Sequence, residues 1–180
     1  MKETHFVLAF YPTTHGFAFV LFEGPLAPFD WGVRELRGTR KNARSLLALK
    51  KLIDRYHPET LVIENTSHLK SRRVERVRRL HRLIRHLADT EGIPTHRYTR
   101  SDVRACFSLV GALRKQEIAE AVALMIPAFA HRLPRKRKIW MSEDPRQGLF
   151  DAAALGLTYY NESDALDPAE VAMSPETSLR

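Results

Sequence analysis

A single cysteine, Cys106, leaves no partner for an intramolecular disulfide, so the packed core alone must hold this chain and a reducing compartment suits it. Cys106 lies between Ala105 and Phe107, the setting of a small buried side chain rather than of an activated thiol. No run approaches the ~20 apolar residues of a membrane span. The first residues, Met1-Lys2-Glu3-Thr4-His5, lack the apolar segment of a secretion signal, so no membrane partner is expected and the cytoplasm is the expected location. The eight glycines are scattered, which excludes a glycine-rich phosphate loop, and no internal repeat is visible. One more absence matters: the first apolar run ends at Tyr11-Pro12-Thr13 without an acid.

What is present is the composition of a water-soluble globule, 44% hydrophobic and 28% charged over 180 residues, enough to bury one sizeable core. The net charge of +8 is unevenly placed. Residues 161–180 carry five acids against Arg180, whereas residues 1–160 carry 28 basic and 16 acidic side chains, a net of +12. The expected organisation is therefore a cationic domain over 1–160 followed by an acidic, disordered tail over 161–180. A cationic body favours a polyanion through counterion release, and nucleic acid is the commonest such partner.

Hydrophobic periodicity orders the elements. His5 to Phe10, Phe17 to Phe22 and Trp31 to Leu36 read as three consecutive antiparallel strands, the first two joined by the turn Pro12-Thr13-Thr14-His15-Gly16. Leu46, Leu49, Leu52 and Ile53 then recur at helical spacing until His57-Pro58. Thr60-Leu61-Val62-Ile63-Glu64 is a continuous apolar run, as in a buried parallel strand, closed by an acid. A helix from Ser71 to Thr90 puts Val74, Val77, Leu80, Ile84 and Leu87 on one stripe, and Ile93 to Tyr98 makes a fifth strand. Ser101-Asp102 caps a short helix through Phe107, and Lys115 to Met125 is another helix, stopped by Pro127. Arg135-Lys136-Arg137-Lys138 is a basic loop, and Asp144-Pro145 opens a last helix through Tyr160. The sum is an α/β fold with a five-stranded mixed sheet.

Two carboxylates stand out, Glu64 at a strand end and Asp151 early on the Ala-rich last helix. Rigid elements of this kind are how two acids are made to converge on one cation. Read singly, Glu64 is equally a solvated or arginine-paired surface acid, and Asp151 an early-helix acid favoured by the dipole.

Together, the order of elements and these motifs resemble the RuvC family of Holliday-junction resolvases, which have the ribonuclease H-like fold, over roughly His5 to Tyr160. Tyr11-Pro12-Thr13 stands where the family has Asp-Pro-Gly, Ile63-Glu64 matches its Ile-Glu, and Asp151-Ala152 matches the second Asp-Ala of its last helix, with Gly148 where the first aspartate falls. Arg104 and Lys115, eleven residues apart, match the family's DNA-contacting lysine positions, and Arg114 adjoins the second. The resemblance implies a two-cation nuclease site in which two of four acids are missing. A neutral phenol with a pKa near 10 is a poor substitute for a bridging carboxylate. Glu64 and Asp151 are then the residual catalytic and metal-binding residues, holding at most one Mg²⁺ weakly.

The helix after Glu64 carries Lys70, Arg72, Arg73, Arg76, Arg78, Arg79, Arg82 and Arg85 against Glu75 and Asp89, too lopsided for a salt-bridged face. Arg72, Arg73, Arg76, Arg79, Arg104, Arg114 and Lys115 are the candidate nucleic-acid contacts. The resemblance also implies a homodimer that joins two basic faces. The expected function is binding of branched or structured DNA with nuclease activity lost or much reduced. Alternatives are an active Mg²⁺-dependent resolvase completed by Glu143 or Asp144, and an interaction module that docks an acidic protein.

Overall fold

The computed structural model describes residues 5–67, 72–138 and 140–166, except the side chains of 72–74 and 164–166. Strands β1 (Val7–Pro12), β2 (Gly16–Gly24) and β3 (Ala27–Glu35) form an antiparallel meander, followed by α1 (Lys41–Tyr56) and β4 (Thr60–Glu64). Helix α2 (Arg72–Thr90), β5 (Thr95–Tyr98), α3 (Arg100–Ser108), α4 (Lys115–Met125), a 3-10 helix (Pro127–Arg132) and α5 (Gln147–Leu166) complete the order. The sheet runs β3-β2-β1-β4-β5, with β4 parallel to β1 and to β5.

Side-chain alternation along the strands divides the interior into two layers. Leu8, Phe10, Leu61 and Ile63 point to the face covered by α1 and α2, where they meet Leu49, Ile53, Leu80 and Ile84. Val7, Ala9, Ala18, Val20 and Val62 point to the opposite face, against α5 and the residues of α3 and α4. Each such large side chain contributes roughly 1.5–3 kcal/mol on full burial. Helix α5 is apolar on nearly all sides because it lies across β1 and β2 beneath α3 and α4. Gly156 permits that approach, since a Cβ there would stand 2.4 Å from the Phe22 ring.

Several boundaries differ from the sequence expectation. Strand β3 begins at Ala27 rather than Trp31, because Pro28 pairs with Phe22 across an irregular register that periodicity does not show. The cap of α3 is Thr99, whose hydroxyl accepts from the Asp102 amide, while the Asp102 carboxylate bonds back to the Thr99 amide. Helix α5 starts at Gln147, not Pro145. The Asp144 carboxylate turns onto the amide and guanidinium of Arg146, and the Asp144 carbonyl accepts from the Gln147 amide at 2.9 Å, so these residues form a turn ahead of the helix. At its other end α5 runs past Tyr160 to Leu166. The Tyr98 hydroxyl donates to Glu162, and the Ser163 hydroxyl donates to the Tyr159 carbonyl at 2.9 Å, anchoring the extra turn. The rest of the expected tail, 167–180, lies outside the described residues. Cys106 is half-buried, and burial pushes its thiol pKa up.

Candidate functional site

Phe10 of β1 registers with Ile63 of β4, so the residues that follow, Tyr11 and Glu64, stand side by side at neighbouring strand ends. Alternation turns both away from the α1/α2 layer and toward α5. Asp151, one turn into α5, lines the same concavity as Tyr11 and Glu64. The three positions singled out in the sequence are therefore brought together.

Two cations of the chain itself have joined them. Arg100, the first residue of α3, donates from Nε to Glu64 Oε1 at 3.4 Å and lies near enough for its charge to act on the Tyr11 phenol. Lys115, the first residue of α4, places Nζ 2.9 Å from Asp151 Oδ2 and bonds the Glu143 carboxylate as well. Gln147 Nε2 donates to Asp151 Oδ1 at 3.3 Å. Burial pushes the Asp151 carboxyl up to about 6, with Lys115 pulling the other way and Glu143 adding to the rise. Burial opposes the charge of Lys115, yet Asp151 and Glu143 outweigh it and its pKa is raised. For Tyr11, burial first, then the charges of Asp151 and Glu64, lift the phenol well above its usual range. It is a neutral hydroxyl at any physiological pH.

This donor set does not fit a pair of divalent cations. Glu64 and Asp151 each already face a cationic side chain, the third position offers a phenol, and among the described residues no three His, Cys, Asp or Glu side chains converge as metal ligands. Gly148 is closed to a carboxylate by packing, because a Cβ there would stand 2.8 Å from Thr13 Cγ2 and 3.2 Å from Ala18 Cβ. Thr13 and Gly148 thus fit each other as a pair. Of the two acids considered as substitutes, Asp144 is held by Arg146, which keeps its carboxyl below the usual range, whereas Glu143 reaches the site through Lys115.

The basic positions fall into different roles. Arg76 is committed to the fold: Nη2 donates to the carbonyls of Thr13 at 2.5 Å and Thr14 at 3.1 Å, and Nη1 to Asn42 at 2.8 Å. It ties the β1–β2 turn to α2. Arg79 is exposed, Arg104 borders the carboxylate concavity, and Arg114 lines a neighbouring hollow with Arg135, Lys136 and Arg137. The side chains of Arg72 and Arg73 lie outside the described residues, as does Lys70. Sequence reading missed Arg100, whose only signal was its place beside the Thr99 cap, and Trp140. That indole is 80% exposed beside the basic loop, with Lys138 Nζ 5.4 Å from its ring centre.

Strand order, the antiparallel opening meander and the parallel pairing of β4 with β1 and β5 define a ribonuclease H-like α/β fold of the RuvC-like kind. Among solved structures the chain is similar to RuvC of Thermus thermophilus, with 17% identity, a TM-score of 0.65, and coverage of 89% of this chain and 96% of that one. It is also similar to T. thermophilus RuvC in complex with a Holliday junction substrate, at 17% identity and a TM-score of 0.63, covering 90% and 96%. No protein-family model and no curated protein sequence matches the chain. Among the described residues no helix is long and apolar enough to cross a membrane.

Proposed function

We propose that the protein binds branched or structured DNA and that its nuclease chemistry is absent or much reduced. The observation that carries this reading is the pairing of each site carboxylate with a cation of the chain itself, Glu64 with Arg100 and Asp151 with Lys115, beside a neutral phenol. Such a pocket lacks the free negative oxygen that a cation pair needs. DNA binding is supported by the net charge of +12 over residues 1–160, by exposed Arg79, Arg104 and Arg114, and by the basic loop with Trp140. The structural neighbour from T. thermophilus holds a Holliday junction. A two-fold homodimer would join two basic faces into a platform wide enough for a branched duplex.

The test is a labelled four-way junction against a duplex of the same sequence, titrated with salt and then incubated with Mg²⁺ or Mn²⁺. Salt-sensitive binding that favours the junction, with no strand cleavage, is the expected result. Absence of binding near physiological salt sinks the reading and leaves docking of an acidic protein.

A second reading, a Mg²⁺-dependent resolvase with rearranged ligands, draws on one contact. Lys115 links Glu143 to Asp151, so drawing Lys115 onto a phosphate leaves two carboxylates facing each other, a set that takes one Mg²⁺ weakly. Metal-dependent cleavage of the junction by the unmodified protein would establish it.

A further inference from the structure

Between Glu120 of α4 and Glu143 no acid occurs, while Arg132, Arg135, Lys136, Arg137 and Lys138 all fall in that stretch. The basic loop within it is tethered at both ends. Pro134 is buried and its carbonyl accepts from Gln116 Nε2 at 3.4 Å, and Glu143 pairs with Lys115 beside the carboxylate pocket. Between these anchors the Met141 amide donates to the Lys138 carbonyl at 3.0 Å, closing a turn with Trp140 in its third position.

Trp140 is 80% exposed, whereas the other tryptophan, Trp31, packs edge-on against Phe129 with ring centres 5.2 Å apart. Single exposed apolar side chains are ordinary, and Leu124 is one of them. An indole differs because it is the largest apolar surface a residue can leave in water. Lys138 Nζ stands over one face, 5.4 Å from the ring centre, and the other face is open to solvent. Arg135, Lys136 and Arg137 share a hollow with Glu117 and Glu120, so those cations alone amount to a solvated face. What solvation leaves unexplained is a flat apolar platform held out by a turn within a cationic segment. A nucleotide offers both complements, a flat base and a negative phosphate. Insertion into a membrane surface favours several apolar side chains together, and among the described residues Met141 alone accompanies the indole.

We propose that Trp140 is a stacking platform for one unpaired base of bound nucleic acid, the base lying on the open face of the indole while Lys138 and Arg137 meet the phosphates beside it. This role depends on the DNA-binding reading above and sharpens its substrate. Paired bases hide their faces inside the duplex, so the platform selects strands that are single or opened at a branch point. Because Glu143 follows three residues later and is tied to Lys115, the stacked base lies toward the rim of the carboxylate pocket.

The experiment uses the full chain with a short oligothymidylate, a blunt duplex and a four-way junction as probes. Trp140→Ala is expected to weaken oligothymidylate binding about tenfold or more, Trp140→Phe to retain most of it, and duplex binding to change less than about twofold in either. Stacking neutralises no phosphate, so the slope of log affinity against log salt stays the same in Trp140→Ala. Leu124→Ala, which removes a comparably exposed apolar side chain from α4, is the control and changes nothing. Oligothymidylate also quenches the indole emission of the unmodified protein but not that of Trp140→Phe, in which only Trp31 is left to emit. Equal losses on single strand and duplex, or none on either, overturn the stacking role, while junction binding by the unmodified protein keeps the DNA-binding reading intact. Emission that moves to the blue with anionic phospholipid vesicles and is constant with oligothymidylate assigns the indole to a membrane surface and overturns the role as well. Should the junction not bind, quenching by oligothymidylate that Trp140→Phe abolishes still upholds the platform. Absence of binding to every probe overturns both.

Discussion

The two concavities at the end of β4 share a strand and settle their charge in opposite ways. Toward α5, the buried carboxylates of Glu64 and Asp151 meet Arg100 and Lys115, so each negative group has an internal counterion. Toward α2, four arginines line a hollow with a neutral histidine, and the acids there are fewer, Glu75 at a distance and Glu64 at the edge. A pocket neutralised from within is stable as it stands, and a ligand entering it must first break an ion pair. A pocket of unmatched cations carries repulsion that an external anion relieves. The strand pleat puts these two behaviours back to back, since Ile63 and Glu64 point to opposite faces.

Acid titration separates the two most sharply. His81, with its pKa lowered from 6.5 to about 4, contributes stability that is complete above pH 6.5 and is lost as the pH falls toward 4, about 3 kcal/mol in all. Asp151 acts with the opposite sign. Its carboxyl is raised from 3.8 to about 6, so its contribution is greatest at low pH and declines as the pH rises through that window. Urea denaturation between pH 6.5 and 4 should show a steeper loss of stability in Asp151→Asn than in the unmodified protein, and a shallower one in His81→Phe. Equal slopes in all three would dissolve the contrast.

The closed packing of the carboxylate pocket predicts the next largest effect. Gly148→Asp should cost about 2 kcal/mol, because its Cβ collides with Thr13, and Thr13→Gly in the same chain should recover most of that. The combination Tyr11→Asp, Thr13→Gly and Gly148→Asp should then bind Mn²⁺ in calorimetry where the unmodified protein binds it weakly or not at all. An unchanged titration would place the cation site elsewhere.

Lys115→Met should destabilise by about 1 kcal/mol, a modest value because the lysine side chain is 40% exposed and its ion pair is screened. It should also raise the Asp151 titration above its present midpoint near 6, readable in carboxyl carbon shifts. Arg100→Gln is the smallest perturbation. With the arginine side chain 59% exposed and the contact at 3.4 Å, its loss should cost about 0.5 kcal/mol or less by thermal denaturation.

Much of the fold was legible from periodicity, because strands buried on both faces and helices with one apolar stripe leave different spacings. Residues Lys115–Met125 read as helix and form one, and the five strands with an antiparallel opening meander were legible, whereas the placing of β4 between β1 and β5 came only with the structure. Element ends were less legible where side chains from elsewhere decide them, as with Glu162 under Tyr98 or Asp144 turned onto Arg146. For the site, Tyr11, Glu64 and Asp151 could be placed because each lies on a rigid element at a countable position. Arg100 could not, since its partner Glu64 is 36 residues away and no local pattern links them. Arg76 illustrates the same limit: its sequence setting is that of a surface cation, and only the β1–β2 turn shows that the fold consumes it.

By itself the sequence determined the strand and helix order, the cationic excess of the body and the absence of an acid at the end of the first strand, because these are properties of residue type and spacing. Tertiary structure alone decided which cations meet which acids. Ion pairing depends on distances of a few ångström between residues far apart in the chain: the sheet pleat turned Glu64 toward α5, where the first residues of α3 and α4 meet the carboxylates, and turned Arg97 toward α2, beside Arg85 and a histidine.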